Sequence, residues 1–278
     1  MVSVKKIYKA METTDGAGVR LNRVFGYNET PQFDPFLLLD YFSTDNPDDV
    51  MKGFPWHPHR GIETITYMLK GEVEHQDSLG NRGLIKSSEV QWMTAGSGIV
   101  HQEMPQPPDD GLEGFQFWLN LPSNDKMMDP AYGDITAEML ETYEEEGLLV
   151  KVIGGTYKNA KGPVQRENLS VNLLDIELAG GKTFEYELLL PLNTFVFVFH
   201  GSGKFGVEKE TVSEKTAVRF NGKGILNIST ADGVRFILAE GKPISEPIAW
   251  GGPIVMNTRE ELRKAFHEYE TGTFLKHR

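Results

Sequence analysis

Residues 64–71 read Thr-Ile-Thr-Tyr-Met-Leu-Lys-Gly, a pattern typical of a buried β-strand that ends at a glycine turn. Between Gly18 and Leu121 this stretch is one of several short apolar segments, and glycine-rich turn sequences such as residues 95–98 separate them. The other clear segments are residues 36–39, 90–93 and 115–119. Many short strands at close spacing predict a β-sandwich or a β-barrel.

The second half of the chain repeats this design. Strand patterns resume at residues 148–150 and continue to about residue 249. Phe197-Val198-Phe199-His200-Gly201 resembles Tyr67-Met68-Leu69-Lys70-Gly71, because both are an apolar strand that breaks at a glycine. Two tandem β-barrels fit this internal similarity better than one large sheet. Residues 122–147, which hold an acidic run, are predicted to connect them.

One helix is predicted near the C-terminus. Thr258-Arg259-Glu260-Glu261 has the capping-box pattern, and Leu262, Phe266 and Tyr269 follow at helical spacing before Gly272. The sequence therefore predicts an all-β protein with a short C-terminal helix. Residues 1–133 form the predicted N-terminal domain and residues 134–278 the C-terminal domain.

Composition excludes several classes of function. The chain has a net charge of −12 and no basic cluster, so direct binding to nucleic acid is not expected. It has no cysteine, which excludes disulfides, thiolate metal sites and cysteine nucleophiles. It has no apolar run long enough for a membrane span and no secretory signal pattern. We therefore expect a cytoplasmic protein whose metal ligands, if any, are nitrogen and oxygen.

Two short motifs offer such ligands. His57-Pro58-His59 places two imidazoles at positions i and i+2, which point to the same face of an extended strand. His101-Gln102-Glu103 repeats this spacing with an imidazole and a carboxylate. A single histidine pair is ordinarily a surface or core feature, but two such pairs in apolar surroundings predict a metal cage. Imidazole and carboxylate suit Fe, Mn, Ni, Cu or Zn.

Four longer stretches of the chain are distinctive: residues 53–64 (GFPWHPHRGIET), 91–105 (QWMTAGSGIVHQEMP), 117–122 (FWLNLP) and 252–258 (GPIVMNT). In these stretches the sequence resembles the pirin family of the cupin superfamily. The resemblance extends over nearly the whole chain, more densely in the first half. It implies two tandem jelly-roll (cupin) barrels, with a metal in the N-terminal one only. The implied ligands are His57, His59, His101 and Glu103, and the implied metal is one divalent ion per chain, Fe²⁺ before Mn, Ni, Cu or Zn.

Two alternatives bear on that ligand set. General cupins take a glutamate four residues after the second histidine, here Glu63, although Gly61 makes a regular strand doubtful there. In the second half, the positions equivalent to His57 and His59 are Glu187 and Leu189, so we expect that barrel to lack the site. His75 and His200 are expected to be exposed or structural.

The resemblance leaves two functions open. One is a flavonol (quercetin) 2,3-dioxygenase that binds a flavonol and O₂, with Glu103 as the base. Phe54 and Trp118 would then supply apolar walls, unless they are ordinary core residues. The other is a non-enzymatic, metal- or redox-dependent regulator that binds a transcription factor or a metabolic enzyme.

Overall fold

The computed structural model describes residues 2–46, 52–106, 111–164, 170–188, 192–207 and 209–277. The chain divides into two compact units, each built from separate segments. We call the first unit the N-terminal barrel; it contains Glu12–Pro31, Pro35–Ala137 and Ile244–Arg278. The C-terminal barrel contains Met1–Met11, Gln32–Asp34 and Glu138–Pro243.

Antiparallel strands form nearly all of the N-terminal barrel. They are β2 (Met11–Asp15), β3 (Val19–Phe25), β4 (Phe36–Thr44), β5 (Phe54–His59), β6 (Ile62–Lys70), β7 (Val73–Asp77), β8 (Arg82–Ile85), β9 (Val90–Thr94), β10 (Ile99–Pro105), β11 (Leu112–Asn120), β12 (Ala131–Ile135), β24 (Ala249–Gly251) and β25 (Ile254–Met256). A one-turn helix, α1 (Thr30–Phe33), precedes β4. The helix α2 (Arg259–Glu270) follows β25.

Two sheets make up this barrel. One has the order β12-β9-β6-β11-β4-β3-β2, and the other has the order β5-β10-β7-β8. Buried side chains from both sheets pack together, among them Phe42 and Met68 from the first and Val73 and Ile85 from the second. Alternate residues of β10 are buried, which is the pattern of a strand with one face toward a core.

The C-terminal barrel is also antiparallel. Its strands are β1 (Ser3–Lys9), β13 (Thr142–Glu145), β14 (Leu148–Gly154), β15 (Thr156–Tyr157), β16 (Ala160–Lys161), β17 (Val171–Leu178), β18 (Thr183–Leu188), β19 (Asn193–Phe205), β20 (Glu210–Ser213), β21 (Thr216–Asn221), β22 (Gly224–Ser229) and β23 (Val234–Gly241). A short 3₁₀ helix spans Ala137–Met139. The apolar core of the C-terminal barrel includes Phe184, Phe205, Phe236 and Leu238. The predicted all-β architecture of two tandem barrels is confirmed.

The compact units differ from the contiguous ranges 1–133 and 134–278 at both ends of the chain. Strand β1 pairs with β21, so the first residues complete a sheet of the C-terminal barrel. Residues from Ile244 onward belong to the N-terminal barrel. The predicted connector also contains regular structure, because β12 pairs with β9 and β13 pairs with β14.

The predicted C-terminal helix is confirmed in detail. Thr258 is the N-cap residue, and its hydroxyl accepts a hydrogen bond from the Glu261 amide while the Glu261 carboxylate accepts one from the Thr258 amide. This reciprocal pair satisfies two amides that the first helical turn leaves without main-chain partners. Among the described residues, no helix is long and apolar enough to span a membrane.

Candidate metal centre

Strands β5 and β10 bring three histidines together. The two strands pair antiparallel, with His101 opposite His57 and Ile99 opposite His59. Because His57 and His59 are two residues apart on β5, they share a face with His101. His59 and His101 are almost fully buried, and His57 is half-buried. Among the described residues, these three histidines form the group of three or more potential metal ligands whose donor atoms all lie within 4.8 Å of one another.

The spacing of the Nε2 atoms fits a shared metal ion. His57 Nε2 lies 3.1 Å from His59 Nε2 and 2.8 Å from His101 Nε2. Two nitrogens bound at about 2.1 Å to one metal, at right angles to each other, would be about 3.0 Å apart. The ring arrangement therefore suits a metal that takes its ligands at right angles, as an octahedral ion does.

Two of the three histidines also have a main-chain acceptor beside their other ring nitrogen. The Nδ1 atom of His57 lies 2.9 Å from the Pro55 carbonyl oxygen, and that of His59 lies 3.0 Å from the Pro253 carbonyl oxygen. A carbonyl can only accept, so both rings carry their proton on Nδ1 and direct an Nε2 lone pair inward. Converging lone pairs repel one another unless a cation lies between them, which is the second observation that fits a metal.

Electrostatics keep the buried rings neutral. Burial lowers the pKa of His59 and of His101 well below the ordinary value, and the neighbouring histidines lower it further. Neutral imidazole is the form that binds a metal. The centre is thus prepared for a cation by its protonation state as well as by its geometry.

Glu103 lies beside the three histidines but outside that close group of donor atoms. Its carboxylate is nearly buried, and its Oε1 atom accepts a hydrogen bond of 3.0 Å from the Thr66 hydroxyl. Glu103 lines the same cavity as His57 and His59. Its role as the fourth ligand remains a prediction.

Glu63, the rival ligand, belongs to a different sheet. The chain leaves β5 at His59 and enters β6 at Ile62, and Gly61 at the corner has a φ of 76°. Strand β6 then carries Glu63 next to Thr94 of β9, whose hydroxyl donates a 2.7 Å hydrogen bond to Glu63 Oε1. The doubt about a regular strand through Gly61 is confirmed, because β5 ends at His59 and Glu63 lies on the next strand.

The equivalent positions of the second half give a partial comparison. Glu187 lies on β18 as an exposed residue, whereas Leu189 lies outside the described residues. The expectation of one metal ion per chain stays a prediction.

The centre forms part of the wall of a cavity. The cavity has a volume of about 650 Å³, which is within the usual range for a site that binds a small organic molecule. Both predicted substrate-contact residues, Phe54 and Trp118, line it. The Trp118 ring meets the His59 ring edge to face at 4.9 Å between centroids.

Sequence reasoning missed several residues of this cavity. Tyr27 and Trp250 extend the aromatic wall, since the Trp250 ring centroid lies 5.9 Å from that of Trp118 and 5.6 Å from that of Tyr27. Arg23 and Asp40 add a polar corner through hydrogen bonds of 2.9 and 2.7 Å. None of these residues stands near the histidines in sequence, so no local motif identified them.

The sequence analysis expected His75 to be either exposed or structural. Its side chain is completely buried, which excludes the exposed position and leaves the structural one. It lies on β7, directly opposite Glu103 of β10, and its Nδ1 atom is 3.4 Å from His101 Nδ1. The alternation of β7 itself, which buries Val73, His75 and Asp77, was the signal that could have found it.

Family models match both halves of the chain. The Pirin model matches residues 18–119, and the model described as the pirin C-terminal cupin domain matches residues 173–275. The chain belongs to the pirin family. A pirin-like protein of Caulobacter vibrioides is 41% identical over 98% of each chain.

Two other proteins that are similar to this pirin are named as enzymes. A protein of Pseudomonas aeruginosa, provisionally named a quercetin 2,3-dioxygenase, is 40% identical over 97% of this chain and 96% of its own. The crystal structure of a quercetin 2,3-dioxygenase from Acinetobacter baumannii is 32% identical, has a TM-score of 0.90, and covers 99% of this chain and 98% of that one. These pirin relatives make a dioxygenase-like activity the first function to test.

Proposed function

We propose that the protein is a metal-dependent flavonol 2,3-dioxygenase, which cleaves the central ring of a flavonol such as quercetin with O₂. The observation that carries this proposal is a group of three convergent imidazoles, two of which, His57 and His59, line a cavity of substrate size. The dioxygenase names of two relatives that match almost the full chain support it.

His57, His59, His101 and Glu103 would hold one divalent transition metal, and we propose Fe²⁺ before Mn, Ni, Cu or Zn. Imidazole nitrogen with one carboxylate is a donor set that all of these ions accept. When bound, such an ion acts as a Lewis acid that lowers the pKa of a substrate hydroxyl and offers coordination positions to oxygen atoms.

Aromatic residues of the cavity orient the substrate. A flavonol is flat and aromatic, and Phe54, Trp118 and Trp250 present aromatic surfaces to the space beside the histidines. Offset or edge-to-face contacts with these rings add to the free energy of apolar burial. Because Trp118 also contacts His59, a ring stacked on Trp118 is held against the metal centre.

Glu103 accepts the proton of the flavonol 3-hydroxyl. The Thr66 hydroxyl donates to one lone pair of Oε1, and the lone pairs that remain free on the two oxygens are available to the metal and to the proton. A carboxylate fixed in this way at the edge of the cavity can act as a general base without a large movement. The substrate enters as a neutral hydroxyl beside the 4-carbonyl and is held as its anion.

The test is an oxygen-uptake assay. Protein loaded with Fe²⁺, Mn²⁺ or Ni²⁺ is mixed with quercetin without oxygen and then exposed to O₂; we expect oxygen consumption and release of carbon monoxide. A flavone without the 3-hydroxyl should not react, because it has no acidic proton at that position. Glu103→Gln at matched metal occupancy should lower kcat by about 10² or more.

Two outcomes count against the proposal. Equal turnover by Glu103→Gln at matched occupancy would remove Glu103 from the role of base. No oxygen uptake with any flavonol, using protein shown to contain metal, would exclude the dioxygenase and favour the regulatory hypothesis.

A further inference from the structure

Of the three histidines, His101 alone has a side chain beside its outer nitrogen. His57 and His59 place their Nδ1 atoms against main-chain carbonyl oxygens, which only accept hydrogen bonds. His101 Nδ1 instead lies 3.4 Å from the Nδ1 atom of His75. An imidazole nitrogen either donates or accepts, so the direction of this contact depends on what lies beyond His75.

A buried carboxylate lies beyond His75. Asp77 Oδ2 is 3.7 Å from His75 Nε2, and both side chains are completely shielded from solvent. Asp77 is itself fixed, because its Oδ1 atom accepts hydrogen bonds of 2.9 and 3.0 Å from the amides of Leu79 and Asn81. Its Oδ2 atom accepts a third, of 2.8 Å, from the Asn81 side chain.

We propose that Asp77 and His75 set the orientation and the tautomer of His101, so that its Nε2 lone pair faces the metal. The carboxylate of Asp77, 3.7 Å away, favours a ring proton on Nε2 of His75. His75 Nδ1 is then an acceptor for the Nδ1 proton of His101, which leaves His101 Nε2 unprotonated. His75 and Asp77 are positioning residues, and this assignment rests on the proposed metal centre.

The backbone register supports this arrangement. Strands β7 and β10 pair so that His75 is opposite Glu103 and Asp77 is opposite His101. His75 also packs against two rings, with its centroid 5.1 Å from that of His101 and 4.9 Å from that of Tyr132. These contacts help to fix its orientation. The chain of contacts from Asp77 through His75 to His101, which we call the relay, is therefore present before a metal binds.

The relay has an electronic consequence. An anionic carboxylate connected through His75 makes His101 a stronger electron donor to the metal. Hydrogen-bond partners of metal-bound histidines generally have this effect. A stronger donor favours the more highly charged state of the ion. In the iron-loaded protein, Asp77 and His75 therefore lower the Fe³⁺/Fe²⁺ midpoint potential.

The experiment compares His75→Leu with His75→Asn. Leucine offers His101 no acceptor, whereas the asparagine amide oxygen stands near the position of His75 Nδ1. By competition with a chelator, Fe²⁺ affinity should fall about 10- to 100-fold in His75→Leu and stay close to wild type in His75→Asn. Both variants lose the link to Asp77, so both should have a raised midpoint potential.

Gln76→Leu is the matched control, because Gln76 neighbours His75 on β7 but alternates with its buried residues, and its side chain contacts those of Glu74 and Gln102. It should leave affinity and potential unchanged. Wild-type affinity and potential in His75→Leu would overturn the relay while the metal centre stands. The relay would also be overturned if His75→Leu and His75→Asn lost the same Fe²⁺ affinity and the bound iron kept the wild-type midpoint potential. A wild-type protein that binds no metal would overturn the proposed centre itself.

Discussion

All three imidazoles turn the same ring nitrogen inward, and His57 Nε2 lies at right-angle spacing from those of His59 and His101. We expect purified protein to carry close to one transition-metal ion per chain. His101→Ala should lower that content to near zero, because it removes one nitrogen and leaves His57 without its nearest partner. Elemental analysis that finds no metal, or two ions per chain, in the wild-type protein would contradict the centre.

The two candidate carboxylates give this prediction its control. Glu63→Gln should retain the metal, since Glu63 is engaged with Thr94 on another sheet. Glu103→Gln should weaken metal binding. The reverse result would mean that the general cupin ligand set applies here.

Lys126 gives a pH-dependent prediction. It is almost completely buried, and its ammonium donates to the carbonyl oxygens of Gly61 and Val255 and to the Asn120 side chain. Burial lowers the pKa of Lys126 to about 7. The unfolded chain keeps this proton up to a pH of about 10.4, so the folded state becomes relatively more stable as pH rises above 7.

The measurement is the free energy of unfolding at pH 7 and pH 9, in wild type and Lys126→Met. We expect the wild type to gain stability relative to the variant over this interval. A difference that does not change with pH would show that the ammonium stays charged, held by its three acceptors.

At this scale the sequence identified residues that stand in local motifs and missed those that depend on distant contacts. His57, His59 and His101 could be found because strand geometry fixes the i, i+2 direction of side chains. Pro253 could not, because its contribution is a main-chain carbonyl that any residue could supply. Trp250 reaches the cavity only through the folding of the C-terminal segment.

At the scale of elements, the corner at Gly61 separates the two sheets of the N-terminal barrel. A Cβ atom added at Gly61 would lie 2.0 Å from the Val255 carbonyl oxygen, and the φ of 76° is unfavourable for other residues. Gly61→Ala should therefore cost about 3 kcal/mol or more of stability. It should also weaken metal binding, because His59 is two residues away.

Gly272→Ala is the control for this corner. Gly272 has a φ of 74°, but a Cβ atom there would have no neighbour within 4 Å. Its cost should be about 1 kcal/mol, from the backbone conformation alone. Chemical denaturation of both variants makes the comparison, and equal costs would show that the close approach to Val255 is not what requires glycine.

Elements with strong local signals were predictable, and those defined by pairing were not. The helix follows from its capping box, and the apolar strands follow from their composition. Strand β12 lies in a stretch interpreted as a connector, because Ala131 to Ile135 is mostly polar or small and becomes a strand by pairing with β9.

At the scale of the whole molecule, residues far apart in sequence complete the N-terminal barrel. Buried Arg60 donates to the Phe274 carbonyl oxygen and to Glu268, and the Pro253 carbonyl accepts from His59. Metal binding should therefore slow hydrogen exchange in residues 249–256 as well as in β5 and β10. Strands β17 and β23 of the C-terminal barrel should exchange at the same rate with and without metal.

Hydrogen–deuterium exchange followed by mass spectrometry measures this pattern in the intact chain. Protection confined to β5 and β10 would mean that the Pro253 contact does not hold His59 in solution. A division of the chain into residues 1–133 and 134–278 would predict protection in β5 and β10 alone, because it places Pro253 in a different domain from His59.

The contact between His59 and Pro253 also limits how early during protein synthesis the metal centre can be complete. Pro253 follows His101 by 152 residues, and at about 5–20 residues per second a ribosome needs roughly 8–30 seconds to add them. During that interval the three histidines exist without the carbonyl that fixes the His59 ring. We therefore expect the centre to bind its metal ion at the end of translation or later, once the segment that holds Pro253 has packed beside His59.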